Sequence, residues 1–161
     1  MFASENKIVS WDQAVKTIEE IQKTGKKVVF TNGCFDLVHL GHVDYLEKAR
    51  NLGDFLVVGI NTDKSVSDIK GPFRPVSNEQ SRSRVLASMG FVDLVVFFGE
   101  ETPKNLIELL KPDILTKGSD YTVKNIVGAD FVMSRGGKVE TIPMVDGFST
   151  TNLIKRISGT S

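Results

Sequence analysis

A chain of 161 residues can bury its own core without metal or disulfide staples, and 40% hydrophobic with 25% charged residues is an ordinary globular composition. Twenty basic residues balance twenty acidic ones, so the basic excess of a dedicated nucleic-acid binder is missing. Cys34 has no partner for an internal disulfide, no apolar run approaches eighteen residues, and residues 1–7 lack a signal-like apolar core. The expectation is a cytoplasmic protein that does not engage a membrane.

In chain order, Ser10 followed by Gln13 reads as a capping box opening an amphipathic helix over 10–24, with Gly25 suited to its end. Residues 28–31 form a β-branched apolar strand that runs into Asn32 and Gly33. A helix over 42–52 follows, with Val43, Leu46 and Ala49 on one face. The apolar run 55–60 has the length of a strand covered on both sides. Residues 65–70 read as polar chain with little apolar surface, and 71–75 as a loop carrying two prolines. Helix 78–89, strand 94–98 and helix 102–110 come next, the last with Thr102 capping and Pro103 in its first turn. Strand 113–116 stops at Lys117 and Gly118. Helix 123–134, strand 138–142 and helix 150–157 complete the chain.

Five strands alternating with helices predict an α/β fold: a doubly wound, mostly parallel sheet with helices on both faces. Residues 1–25 read as an N-terminal helical extension of a single domain and 26–157 as its catalytic core. In such sheets ligands sit beyond the carboxyl ends of the strands, at the switch point in strand order.

The segment after the first long strand carries the chemistry. His39 and His42 are the two histidines of the chain, and they flank Gly41 at a helix start. There, free amides and the helix dipole favour an anion, and glycine permits close approach of phosphates. Two imidazoles with such amides suit a triphosphate, because phosphoryl-type transfer needs positioning and charge stabilisation more than covalent chemistry. Asp36 is placed to brace the loop through backbone N–H groups, Cys34 reads as buried and inert, and Arg82 is spaced to pair with Glu79 on its own helix.

The run Gly33-Cys34-Phe35-Asp36-Leu37-Val38-His39-Leu40-Gly41-His42 resembles the GxFDxxHxGH signature of the cytidylyltransferase-like nucleotidyltransferases. The resemblance implies a Rossmann-like fold whose HxGH segment binds a nucleoside triphosphate. It continues at Asn61 and Asp63 after the second long strand, at Lys70 and Arg74 in a basic loop that reaches toward phosphates, and at Arg82 in a helical E-x-x-R segment. Gly147, Phe148, Ser149, Thr150 and Thr151 are similar to the family's STT motif at a helix start. Leu115-Thr116-Lys117-Gly118-Ser119-Asp120-Tyr121 is similar to the LVKGGDY of the heptose 1-phosphate adenylyltransferase branch, with Thr116 and Ser119 in place of Val and Gly. Met144 stands where glycerol-3-phosphate cytidylyltransferases carry an arginine.

By that resemblance His39, His42 and Lys70 are the catalytic residues. Nucleotide binding falls to Asn32, Gly33, Cys34, Phe35, Gly41, Lys117, Gly118 and residues 147–151, with His39 and His42 again. Acceptor binding falls to Asp36, Asn61, Asp63, Arg74, Arg82 and Asp120. The implied ligands are ATP with Mg²⁺, held mainly by phosphates and water, and a sugar phosphate. A homo-oligomer and a separate heptose kinase are the implied partners.

Overall fold

The computed structural model describes residues 3–159. After a 3-10 turn at Ser4–Lys7, the elements are β1 (Ile8–Val9), α1 (Trp11–Lys23), β2 (Val28–Gly33), α2 (Leu40–Arg50), β3 (Phe55–Asn61) and α3 (Asp63–Lys70). There follow α4 (Glu79–Ser88), β4 (Leu94–Phe98), α5 (Lys104–Leu110), β5 (Ile114–Gly118), α6 (Ala129–Ser134), β6 (Lys138–Ile142) and α7 (Thr150–Ser158). The six strands form one sheet in the order β1-β4-β3-β2-β5-β6, with every neighbouring pair parallel. The chain therefore runs outward from β2 through β3 to β4, then crosses back to lay β5 and β6 on the other side. The switch point is the β2–β5 seam.

Alternation within the strands divides the core between the two faces. Val28, Phe30 and Val57 pack with Ala14 and Ile18 of α1, Leu106 and Ile107 of α5 and Val132 of α6. Val29, Leu56, Val58 and Ile60 pack with Leu46 and Ala49 of α2 and Leu86 and Ala87 of α4 on the opposite face. The expected Ser10 capping box is present on α1, with Ser10 Oγ accepting from Gln13 N and Gln13 Oε1 accepting from Ser10 N.

The structure departs from the expected elements at several points. A sixth strand, β1, pairs with β4, so residues 8–9 belong to the sheet. Two residues are too short to show periodicity; tertiary bonds hold them, with Lys7 Nζ donating to the carbonyls of Met89 and Val92 and Trp11 Nε1 to that of Phe97. Residues 65–70, read as polar chain, lie in α3: Thr62 Oγ1 caps it by accepting from Ser65 N, and Val66 is buried. The expected helix over 123–134 is split into a 3-10 turn at Val123–Asn125 and α6, because Gly128 has φ 85°. Finally, α5 starts one residue after Pro103 with no side-chain cap from Thr102.

Candidate active site

The helix after β2 opens at Leu40, and its cap is an unusual one. His39 is the N-cap residue, and its Nδ1 accepts from Gly41 N at 3.1 Å. His42 is the third residue in, and its Nδ1 accepts from His39 N at 3.3 Å. The two rings stack with centroids 4.0 Å apart. A nitrogen that accepts a backbone N–H carries no proton, so both neutral imidazoles are held as the Nε2–H tautomer. Burial pushes the His42 pKa down to about 4, with His39 adding to the effect, and burial lowers His39 too. Two cations at this separation would repel by about 4 kcal/mol at an effective dielectric of about 20. The pair is therefore built as two neutral donors. Gly41 is required beside them, since a Cβ there would lie 2.9 Å from the His39 ring.

Between β2 and α2 the loop is strained and braced. Phe35 has φ 48°, in the left-handed region that costs a non-glycine residue about 1–2 kcal/mol. Asp36 accepts from Arg74 Nε at 2.6 Å, Val76 N at 2.9 Å and Ser77 N at 2.8 Å. Burial alone would raise the Asp36 pKa, but the bonds from Ser77, Val76 and Arg74 together hold it below the usual carboxylate range. Arg82, 1% exposed, donates to the carbonyls of Cys34 and Ser77 and to Asp63 Oδ1, at 2.6, 3.0 and 2.7 Å.

These bonds make Asp36, Asp63 and Arg82 braces of the loop. Arg82 reaches Asp63 and not Glu79. Glu79 instead accepts from Asp63 N, the first amide of α3. Arg74 lines the cleft while tied to Asp36.

The carboxyl ends of β2, β3 and β5 and the start of α7 enclose a cleft of about 520 Å³. Asn32, Gly33, Cys34 and Phe35 form its floor, with His39 and His42 on one wall. Asn61 and Lys70 face them from β3 and the end of α3. Lys117 approaches from β5 and Asp120 from the turn after it, and Phe148, Ser149, Thr150 and Thr151 from the α7 start. Gly118 lines an adjoining hollow of about 180 Å³, and Gly147 turns the chain (φ 84°) beside another shared with His39 and Phe148. Ser149 Oγ caps α7 by accepting from Asn152 N.

Lys117 Nζ bridges to Asn32 O at 3.1 Å, and burial lowers its pKa against the opposing charges of Cys34 and Asp120. Cys34, expected to be buried, is only partly so; burial raises its thiol pKa, opposed by Lys70, Arg82, Arg74 and Lys117. The residue reading did not anticipate Tyr45, Tyr121 or Glu101 on the cleft walls. Tyr121 sits within the LTKGSDY run, and the other two carry no local signal. A second hollow, of about 400 Å³, opens at the amino ends of β2, β5 and β6, the edge opposite to where such sheets bind ligands.

The profile of the Cytidylyltransferase-like family matches residues 30–160. The chain belongs to that family. It is a nucleotidyltransferase enzyme, with the family's Rossmann-like sheet. It is 55% identical over 146 residues to the bifunctional protein HldE of Syntrophotalea carbinolica, covering 90% of this chain and 30% of that protein. To the bifunctional protein HldE of Magnetococcus marinus it is 54% identical over 157 residues, 98% and 32% of the two chains. This chain thus spans about a third of the length of those relatives. The lipopolysaccharide core biosynthesis protein of Thermoplasma volcanium is 30% identical with a TM-score of 0.60, covering 75% of this chain and 98% of the other. Pantothenate synthetase from Thermus thermophilus, at 19% identity and a TM-score of 0.56 over 91% of this chain and 67% of its own, shares the fold. No helix among the described residues is long and apolar enough to cross a membrane.

Proposed function

We propose that this chain transfers AMP from ATP to heptose 1-phosphate, releasing pyrophosphate and forming ADP-heptose for lipopolysaccharide core assembly. The observation that carries the reaction class is the capped histidine pair: two Nε2–H donors on one wall of a cleft that also holds Lys70, Lys117 and the start of α7. The heptose acceptor draws support from the identity to the HldE proteins and to a lipopolysaccharide core biosynthesis protein. In the first group this activity would be one part of a larger protein, so the partner here is a heptose kinase on the same or another chain.

The acceptor phosphate is ionised at neutral pH and needs no strong base. One of its oxygens attacks the α-phosphorus in line, and the bond to the bridging oxygen of pyrophosphate breaks with its electron pair leaving on pyrophosphate. His39 and His42 donate to phosphate oxygens as charge shifts onto them, Lys70 and Lys117 supply positive charge, and the α7 amides hold phosphates of the nucleotide. Mg²⁺ would neutralise phosphate charge. The donor set fits an ion carried in on the triphosphate, since Asp36 is fully engaged and Asp120 and Glu101 are the carboxylates left on the cleft wall to take a coordination position.

The test is pyrophosphate release with ATP and CTP, each against heptose 1-phosphate and glycerol 3-phosphate. ATP with the heptose should dominate. Equal or faster turnover with CTP removes the adenylyl assignment, and faster turnover with glycerol 3-phosphate removes the sugar.

A further inference from the structure

The β2–β5 seam is closed by side chains where its backbone ladder ends. Ladder pairing covers Val29 with Ile114 and Phe30 with Leu115, yet β2 continues to Gly33 and β5 to Gly118. Beyond Phe30 no backbone pairing ties the two strands, although the last residues of both line the cleft. Three buried hydroxyls fill this stretch. Tyr45 Oη lies 2.8 Å from Thr31 Oγ1 of β2 and donates to Thr116 Oγ1 of β5 at 3.2 Å. Thr31 and Thr116 are fully buried and Tyr45 is 7% exposed. Tyr45 also sits on α2 one turn after His42, so a single phenol joins the three elements that deliver His42, Gly33 and Lys117.

We propose that Tyr45, with Thr31 and Thr116, is a positioning element that sets the width of the β2–β5 crevice and thereby the placement of the histidine pair against Lys117. The inference rests on reading this cleft as the nucleotide site. A buried, satisfied network is stiff, because each hydroxyl has a fixed partner and any slip leaves a polar group unpaired. The ring of Tyr45 fills space whether or not its oxygen is present; the oxygen adds the bond that ties α2 to both strands. When Tyr45 is replaced by Phe, Thr31 Oγ1 still reaches Thr116 O at 3.3 Å and Thr116 Oγ1 still reaches Phe30 O at 3.5 Å. No hydroxyl is orphaned, so the fold should persist while the crevice loosens. Displacements on the order of 1 Å can cost up to about 10²-fold in turnover.

The experiment compares Tyr45→Phe, Thr116→Val and Thr116→Ser with the parent chain. Pyrophosphate release is measured with ATP and heptose 1-phosphate, thermal unfolding is followed in parallel, and amide exchange over residues 31–33 and 116–118 is recorded without ligand. The expected result is a kcat about tenfold lower for Tyr45→Phe and Thr116→Val, with KM for ATP within about threefold, an unchanged melting temperature, and Thr116→Ser near the parent. Exchange in both windows should be faster in Tyr45→Phe. Parental kcat in both disruptive variants, or a loss that only tracks the fraction unfolded, overturns the proposal. Should the parent release no pyrophosphate with any acceptor, the functional reading fails by itself. Exchange then decides this inference: faster in Tyr45→Phe supports it, and unchanged exchange overturns it.

Discussion

The claim that His42 works as a neutral donor can be tested by separating its two nitrogens. His42→Asn places an amide oxygen about where Nδ1 stands, so it can still accept from His39 N while leaving nothing at Nε2. His42→Gln places an amide nitrogen about where Nε2 stands and so restores a donor to the cleft, but without the option of a full charge. With a pKa near 4, His42 is protonated in about one molecule per thousand at pH 7. Making it half-protonated in the complex would take about three pKa units, or roughly 4 kcal/mol, and would also sacrifice the bond from His39 N. A neutral donor is therefore the form available for catalysis, and loss of one preorganised donor typically costs about 10²–10³-fold in kcat. The expected outcome is a kcat about 10²-fold lower for His42→Asn, with a parental melting temperature, and within about tenfold of the parent for His42→Gln, which loses the bond from His39 N. Long-range ¹H–¹⁵N spectra of the parent should show a pyridine-like Nδ1 and a pyrrole-like Nε2 down to about pH 5. Equal loss of activity in the two variants, together with an imidazole titrating near 6.5 in the free protein, would falsify the neutral-donor account.

The same depressed pKa predicts a stability window. The unfolded chain takes up a proton on His42 near pH 6.5 and the folded chain only near 4, so stability is full above 6.5 and falls as pH drops toward 4. The loss attributable to His42 is bounded by about 3 kcal/mol, measured as denaturant midpoints at pH 7 and pH 4.5 in the parent and in His42→Asn, which should lose less. Arg82→Met strips the Cys34 and Ser77 carbonyls of their donor and leaves Asp63 unpaired, so it should cost about 3 kcal/mol in denaturant unfolding; a cost below about 1 kcal/mol would show that the loop does not depend on this brace. Lys70 is exposed at the end of α3, on the cleft wall across from the histidines, and Gly71 after it has φ 98°. Lys70→Ala should lower kcat by about tenfold or more and KM for the sugar phosphate by less than about threefold either way; a kinetically silent variant would mark Lys70 as solvated surface.

Much of this was legible in the residues themselves. Apolar runs at 28–31 and 55–60 with helical patterns between them require a covered parallel sheet, because burial on both faces leaves no room for polar alternation. The spacing of His39, Gly41 and His42 after a strand placed both imidazoles on the cleft, since a histidine pair flanking a glycine at a helix start is a local feature. What stayed hidden depends on partners far along the chain. Asp36 meets Arg74 across 38 residues and Arg82 meets Cys34 across 48, so an arginine that read as one half of a pair on its own helix is drawn into bracing a strained loop. Residues 65–70 look too polar to fold alone, yet α3 forms because Thr62 caps it and the sheet edge buries Val66. The Tyr45 network could not be anticipated, because nothing in the sequence states that the β2–β5 ladder stops at Phe30 and Leu115. Local pattern determines the long strands, the amphipathic helices between them and the histidine pair at a helix start, while β1 and α3 depend on tertiary partners. Only the tertiary structure decides which charges stay free to meet a ligand, because a buried charge takes whichever partner the packing brings within reach.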